Sequence, residues 1–441
     1  MQAESVNWVS VPRNGIRMER IKIKINKIGR VANSVIEIAP MMIFSGESGM
    51  GKSYLALLAH YFYDVLIISD RVKRLEGLFE TYGYDYNRIA GDFEDEGKAL
   101  TLTKRQIEQW MEKDAINYLR FMLNSERLEG DIEVTLPSSV SEEITISYTK
   151  EKAGLVNSEA KEVVLGLGEI GFRVTQSAIN DANPFAAILS AYLTERLYGH
   201  LYALRSTFNM PPSRGPVLSE NVTGNSGMYK DFIADVNEMS NVLPNSKDKP
   251  MSLMAQLHEI MEGEVKKEDG RYVYLTDGVD MPISAAASSI REIAPLQLLA
   301  SKVSMGQTAL LIEEPEAHLH PNKQRMMADV VGCIHQTGAY VHLTTHSDYF
   351  LRRINELILF QRYVNSHSEE EVARLSERTG IRTSFSIDGS KVVAYIVVRQ
   401  QDGTSQVVEQ DIKHGVPFTS FNEAVRESMR VGDILEEALD L

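Results

Sequence analysis

One short stretch carries the clearest chemical signal: Gly46, Glu47, Ser48, Gly49, Met50, Gly51, Lys52 and Ser53 complete the spacing GxxxxGK[ST]. Glycines at these positions let the main chain close around a polyphosphate. The N–H groups of the loop, and of the helix that opens at Ser53 and Tyr54, would point at the anion with the favourable end of the helix dipole. Lys52 would reach the β- and γ-phosphates, and Ser53 would hold Mg²⁺. The ligand implied is therefore ATP with Mg²⁺.

A phosphate loop alone says only that a nucleotide binds. The run Ala309-Leu310-Leu311-Ile312-Glu313-Glu314 adds an apolar strand that delivers two adjacent acids to its carboxyl end, which is what hydrolysis requires. Glu313 is assigned to the metal, and Glu314 to orienting and deprotonating the attacking water. A further apolar run, Ala339 to Thr344, ends in Thr345-His346-Ser347. There His346 can hydrogen-bond the γ-phosphate and sense its presence. The competing chemistry groups Glu313, Glu314, Glu316, His318 and His320 as a metallohydrolase site. Spacing argues against it, because HExxH is absent and Pro315 and Pro321 interrupt any continuous ligand-bearing helix. His318 and His320 read instead as loop-shaping residues at a subunit interface, and His342 as a core histidine.

The elements that must position these groups follow from periodicity. Ile21, Ile23 and Ile25 alternate with Lys22 and Lys24, and Val35-Ile36-Glu37-Ile38 leads to the strand Met41 to Phe44 that enters the loop. After the loop helix, Val65-Leu66-Ile67-Ile68 predicts a buried strand, and the polar stretch Asp85 to Gly97 leaves the core. Ile107, Trp110, Met111, Ala115, Tyr118, Leu119 and Met122 recur at helical spacing. Strand signals over Ile132 to Tyr148 and Val163 to Val174 precede a helix starting near Asn183-Pro184. Met210 to Pro216 is a rigid, kinked connection. Helices are expected over Met228 to Met239 and Leu253 to Met261, then a hairpin turning at Asp269-Gly270, and finally a strand Val392 to Val398 and a helix near Asn422 to Leu439. No heptad is sustained, so no long coiled-coil arm is expected within the chain.

Length and charge bound the rest. At 441 residues the chain exceeds one ordinary core, so a head domain with a substantial inserted lobe is expected. The formal charge of −15 argues against nonspecific nucleic-acid binding through the overall field. A local basic excess between Arg13 and Arg30 has two readings, a solvated sheet face or a nucleic-acid or partner surface. The single cysteine, Cys333, excludes an intramolecular disulfide. No signal-peptide pattern or membrane-length apolar run is present, and a cytoplasmic location is the expectation.

Gly46 to Ser53, Leu310 to Pro321 and Thr344-Thr345-His346-Ser347 together resemble the ABC-type ATPase heads of the Rad50, RecF and SMC group. More narrowly they resemble prokaryotic AAA-family ATPases of the overcoming-lysogenization-defect (OLD) type, many of which accompany antiphage effectors. Met210-Pro211-Pro212-Ser213-Arg214 is similar to the "PxxR" element of that group, and Ser288-Ser289-Ile290-Arg291-Glu292 lies where its signature helix begins. The resemblance implies an α/β ABC-type P-loop NTPase head with a mixed sheet, residues 1–84 and 281–441 forming the head and 85–280 an inserted α+β lobe. It implies ATP hydrolysis, a homo-oligomer whose heads engage head-to-tail, Ser288 and Ser289 contacting the opposing nucleotide, and output through a separate nuclease or toxin. Ser289 lacks the usual following glycine, and Gln176 is the nearest candidate for the Q-loop glutamine. The OLD-type nuclease domain has no counterpart after His346, so DNA cleavage by this chain is not expected. The rival class is the nucleotide-binding subunit of a membrane transporter.

Overall fold

Strands β1 to β16, numbered along the chain, form three sheets in a computed structural model that describes residues 19–68, 73–84, 98–152, 161–175, 183–219, 227–241, 250–413, 415–417 and 419–438. The nine-stranded sheet runs in the order β5 (Gly130–Thr135), β1 (Lys22–Ile28), β2 (Val31–Glu37), β16 (Ser405–Gln410), β15 (Val392–Arg399), β3 (Met41–Gly46), β14 (Tyr340–Thr344), β13 (Thr308–Glu313) and β9 (Ser206–Met210). Its right-hand part, β15 to β9, is parallel, and β5, β1 and β2 are antiparallel, so the sheet is mixed and the fold is α/β. Strands β4 (Lys98–Thr103), β6 (Glu143–Lys152), β7 (Lys161–Leu167) and β8 (Ile170–Thr175) make a second, antiparallel sheet. The third is β10 (Glu264–Glu268), β11 (Arg271–Thr276) and β12 (Val279–Pro282). Segment 85–280 supplies the second sheet, most of the third, and also β5 and β9, the two edges of the large one.

The central parallel strands β3, β13 and β14 are buried along nearly their whole length because both their faces are covered. Alternate residues divide the interior: Met42, Phe44, Ala309 and Leu311 face helix α1 (Lys52–Asp64) and helix α2 (Lys104–Met122). Met41, Ile43, Leu310 and Ile312 face the other core, which is built on α4 (Ser288–Lys302), α5 (Pro321–Gln336) and α6 (Asp348–Val364). Helix α2 begins at a capping box between Thr103 and Gln106, and α3 (Pro184–Tyr198) begins at an Asn183 cap followed by proline, where the Asn183-Pro184 pair predicts it. The last helix, α7, spans Thr419–Ala438.

One expectation changes. Val65-Leu66-Ile67-Ile68 is not a strand: the N–H groups of Val65, Leu66 and Ile67 donate to Tyr61, Tyr63 and Asp64 carbonyls, closing the end of α1. A short apolar run is buried in either case, and periodicity does not separate the two. The lysines of β1 follow the solvated-face reading, Lys22 pairing with Glu37 at 3.3 Å and Lys24 with Glu133 at 2.7 Å. Gln176 and the stretch Asp85 to Gly97 lie outside the described residues.

Candidate nucleotide-binding site

Strands β3, β13 and β14 are adjacent and parallel, so the residues that follow each of them gather at one end of the sheet. The loop after β3 turns at three left-handed glycines, with φ of 124° at Gly46, 73° at Gly49 and 103° at Gly51. Glycine is required twice over at two of them. A Cβ on Gly46 would lie 2.5 Å from the Val397 carbonyl oxygen, and one on Gly51 would lie 2.6 Å from Val31 Cγ2. Glu47, Ser48 and Gly49 are exposed at the tip, whereas Met50 is buried and its sulfur accepts from Ser405 Oγ at 3.6 Å, pinning the loop to β16. Tyr54 turns its ring onto Gly29, in the β1–β2 turn.

Lys52 is buried at the start of α1, its ammonium donating to the carbonyls of Gly46 at 3.0 Å and Glu47 at 2.7 Å. Burial lowers its pKa to about 8, against the pull of Glu314, Glu316 and Glu313. Ser53 Oγ donates to Glu313 Oε2, joining the loop helix to the end of β13. Glu313 is 2% exposed, and its other oxygen, Oε1, is buried without a protein partner. Burial raises its pKa to about 7, with the neighbouring charge of Glu314 adding and the Ser53 bond opposing. A hydroxyl beside a carboxylate that has an unused buried oxygen suits Mg²⁺, a hard cation taken by oxygen donors.

Glu314 adopts left-handed backbone at φ 47°, and its N–H donates to the Thr344 carbonyl at 3.1 Å and to the Thr344 hydroxyl at 3.2 Å. That turn moves its side chain away from the strand direction and leaves it partly exposed, with Oε1 3.7 Å from His346 Nε2. Burial, then the Lys52 charge, lowers the His346 pKa, and Glu314 opposes. A neutral imidazole beside a carboxylate, a buried ammonium and a hydroxyl–carboxylate pair is an arrangement that can hold a phosphate, a cation and a water together.

Three participants had weak sequence signals. Glu316 stood only in the rejected metallohydrolase group, yet its buried carboxylate accepts from Thr345 Oγ1 at 2.8 Å and from the His346 N–H at 2.7 Å, fixing the histidine turn. Arg214 is buried, and its Nη1 donates to the Glu313 carbonyl at 2.9 Å. Glu292 holds the Arg214 and Gly215 N–H groups at 3.0 and 3.1 Å. A PxxR-like string marks Arg214, but nothing in spacing pairs it with an acid on another helix.

Ser288 and Ser289 open α4. The cap position is Ala287 and no side-chain hydrogen bond caps the helix, so neither serine caps its own N-terminus. One turn further along α4, Glu292 leads through Arg214 and Glu313 to Ser53. His320 caps α5, its Nδ1 accepting from the Asn322 N–H at 3.4 Å, and His318 is exposed. Among the described residues no group of three or more metal-ligating side chains gathers, and no helix is long and apolar enough to cross a membrane.

Comparison with known proteins adds one sequence match. Residues 219–351 match the AAA ATPase domain family; that stretch contains α4, Glu313, Glu314 and His346, and leaves out the phosphate loop. No curated protein sequence matches. Among solved structures, an SMC head bound to the C-winged helix domain of ScpA is similar at 11% identity, with 90% of this chain and 98% of that chain covered and a TM-score of 0.36. The SMC head domain from Thermotoga maritima gives 10% identity, coverage of 90% and 100%, and a TM-score of 0.33. An SMC head with an extended coiled coil, bound to the C-terminal domain of ScpA from Pyrococcus furiosus, gives 10%, coverage of 94% and 99%, and 0.36. Two separate stretches of this sequence, a phosphate loop and a segment similar to an AAA ATPase domain, thus meet at the ends of three neighbouring strands.

Proposed function

We propose that this chain is an ATP-binding and ATP-hydrolysing subunit of ABC type. The observation that carries the reading is the contact of Ser53 with Glu313, which joins the phosphate loop to the acid strand and leaves a buried carboxylate oxygen open. Ser53 and Glu313 would hold Mg²⁺, which neutralises phosphate charge when bound. Lys52 would leave its loop carbonyls for the phosphates, the loop N–H groups would cradle them, and Glu314 would orient the water and take its proton. His346 would donate to the γ-phosphate.

Beyond that chemistry, residues 1–84 and 281–441 would act as a head and 85–280 as its lobe. Two heads would engage head-to-tail around ATP, with Ser288 and Ser289 completing each other's site, so that hydrolysis reopens the pair. Output would pass to a separate effector, a nuclease or toxin, in antiphage defence or a DNA transaction, as the OLD-type resemblance implies.

Purified protein should hydrolyse ATP in the presence of Mg²⁺. Glu314→Gln should retain ATP binding and lose at least about a hundredfold in turnover, the scale of a general base. Lys52→Ala should weaken binding itself. Normal turnover by Glu314→Gln would remove Glu314 from the base role. Co-purification with a membrane permease would favour a transporter subunit over this reading.

A further inference from the structure

Arg214 is 2% exposed, an unusual place for a guanidinium. Its contacts are main-chain on one side and acidic on the other. Nη1 donates to the carbonyls of Glu313 at 2.9 Å and Pro211 at 3.3 Å, and Nε donates to the Glu292 carbonyl at 2.9 Å. The Glu292 carboxylate lies 3.9 Å from the guanidinium and chelates two successive N–H groups, those of Arg214 and Gly215. Glu292 is one helical turn beyond Ser288 on α4, so the cluster spans from the serine-bearing turn to the end of β13.

The loop that carries Arg214 has little slack. Ser213 sits in left-handed backbone at φ 55°, and a Cβ on Gly215 would come within 3.0 Å of both Arg291 Cβ and Glu292 Oε1. A chain pressed this closely against α4 has to move with it. Arg214 grips the carbonyl of Glu313 and leaves the carboxylate free for Ser53. It therefore fixes the strand end without occupying the oxygen that a cation would use.

We propose that Arg214 and Glu292 form a buried strut that transmits metal–nucleotide capture at Glu313 to the first turn of α4, making Arg214 a positioning residue for the shared site. This rests on the ATPase reading above. In a buried cluster such bonds strengthen one another, so a shift at one end is passed to the other. By linkage, whatever moves α4 also alters capture at Glu313.

The test is hydrogen exchange in Glu314→Gln, which holds ATP, at a protein concentration where light scattering reports a monomer. ATP with Mg²⁺ should slow exchange in the loop Gly46 to Ser53 and, at least tenfold, in the first turns of α4. ATP with EDTA should leave α4 unchanged. Adding Glu292→Gln should preserve the loop response while the α4 response falls below threefold, and Arg214→Lys serves as the second variant, with thermal melting as the check on folding. An α4 response that survives in either folded variant overturns the strut. So does an α4 response in the parent that is equal without Mg²⁺. Absence of loop protection in the parent is a different failure, that of nucleotide binding itself, and the strut falls with it.

Discussion

Glu313 and Lys52 are buried ionisable groups pushed toward one another in pKa, the acid up to about 7 and the amine down to about 8, each chiefly by burial. Metal capture needs the carboxylate ionised, so below pH 7 a proton competes with Mg²⁺. The affinity for Mg²⁺ with ATP should fall nearly tenfold per pH unit there, and weaken again above pH 8 as Lys52 loses its charge before phosphate can raise its pKa. Calorimetric titrations from pH 5.5 to 9 measure this, and a flat profile would contradict the burial of both groups. Elsewhere, His60 and His342 meet edge to face in the core, with ring centroids 5.9 Å apart. Burial lowers the His60 pKa to about 3, and lowers that of His342 with His60 adding. Below the unfolded value of 6.5 the unfolded chain binds more protons than the folded one, so this pair's contribution to stability is present above pH 6.5 and is lost as pH falls toward 3. His60→Leu should flatten that acid limb in melting curves, and an unchanged slope would show that other groups set it.

At the level of elements, the strand–loop–helix unit depends on its glycines to different degrees. Gly51→Ala combines left-handed strain with a clash on Val31, whereas Gly49→Ala meets no atom within 4 Å and suffers only its φ of 73°. Gly51→Ala should therefore lower stability by about 2–3 kcal/mol and Gly49→Ala by about 1 kcal/mol, with ATP affinity following the same order. Denaturant titration of the two variants gives the comparison, and equal losses would remove the packing argument. This unit was legible in the sequence because its spacing is local, as were the apolar stripe of α2 and the Asn183-Pro184 start of α3. What was not legible is contact across the chain. Nothing near Arg214 announces Glu292, and the run Val65 to Ile68 looks the same whether it closes a helix or enters a sheet. The left-handed turn at Glu314 was also hidden, because a non-glycine residue gives no sign of positive φ.

For the whole molecule, the proposed head-to-tail engagement around ATP makes assembly the main prediction. A Lys52→Ala chain and a Ser288→Ala/Ser289→Ala chain should each be inactive alone. If the serines act across the interface, equal mixing makes about half of the dimers mixed, each with one intact composite site, and roughly a quarter of parental ATPase activity should return. Assembly without any recovered activity would confine each site to one chain. The sheet order also bears on how the protein comes into being. Strand β3 emerges from the ribosome well before both its partners, which are distant in sequence, and β15 begins only at Val392. At about 5–20 residues per second, the phosphate loop waits roughly 20–70 seconds for its last neighbouring strand. Until β14 is made the apolar strand β3 has two unpaired edges, and the edge that carries the Gly46–Val397 contact stays open until β15 follows. Chaperone capture should therefore concentrate on Met41 to Gly46, and ATP should begin to protect ribosome-bound chains from protease only once Arg399 has cleared the exit tunnel.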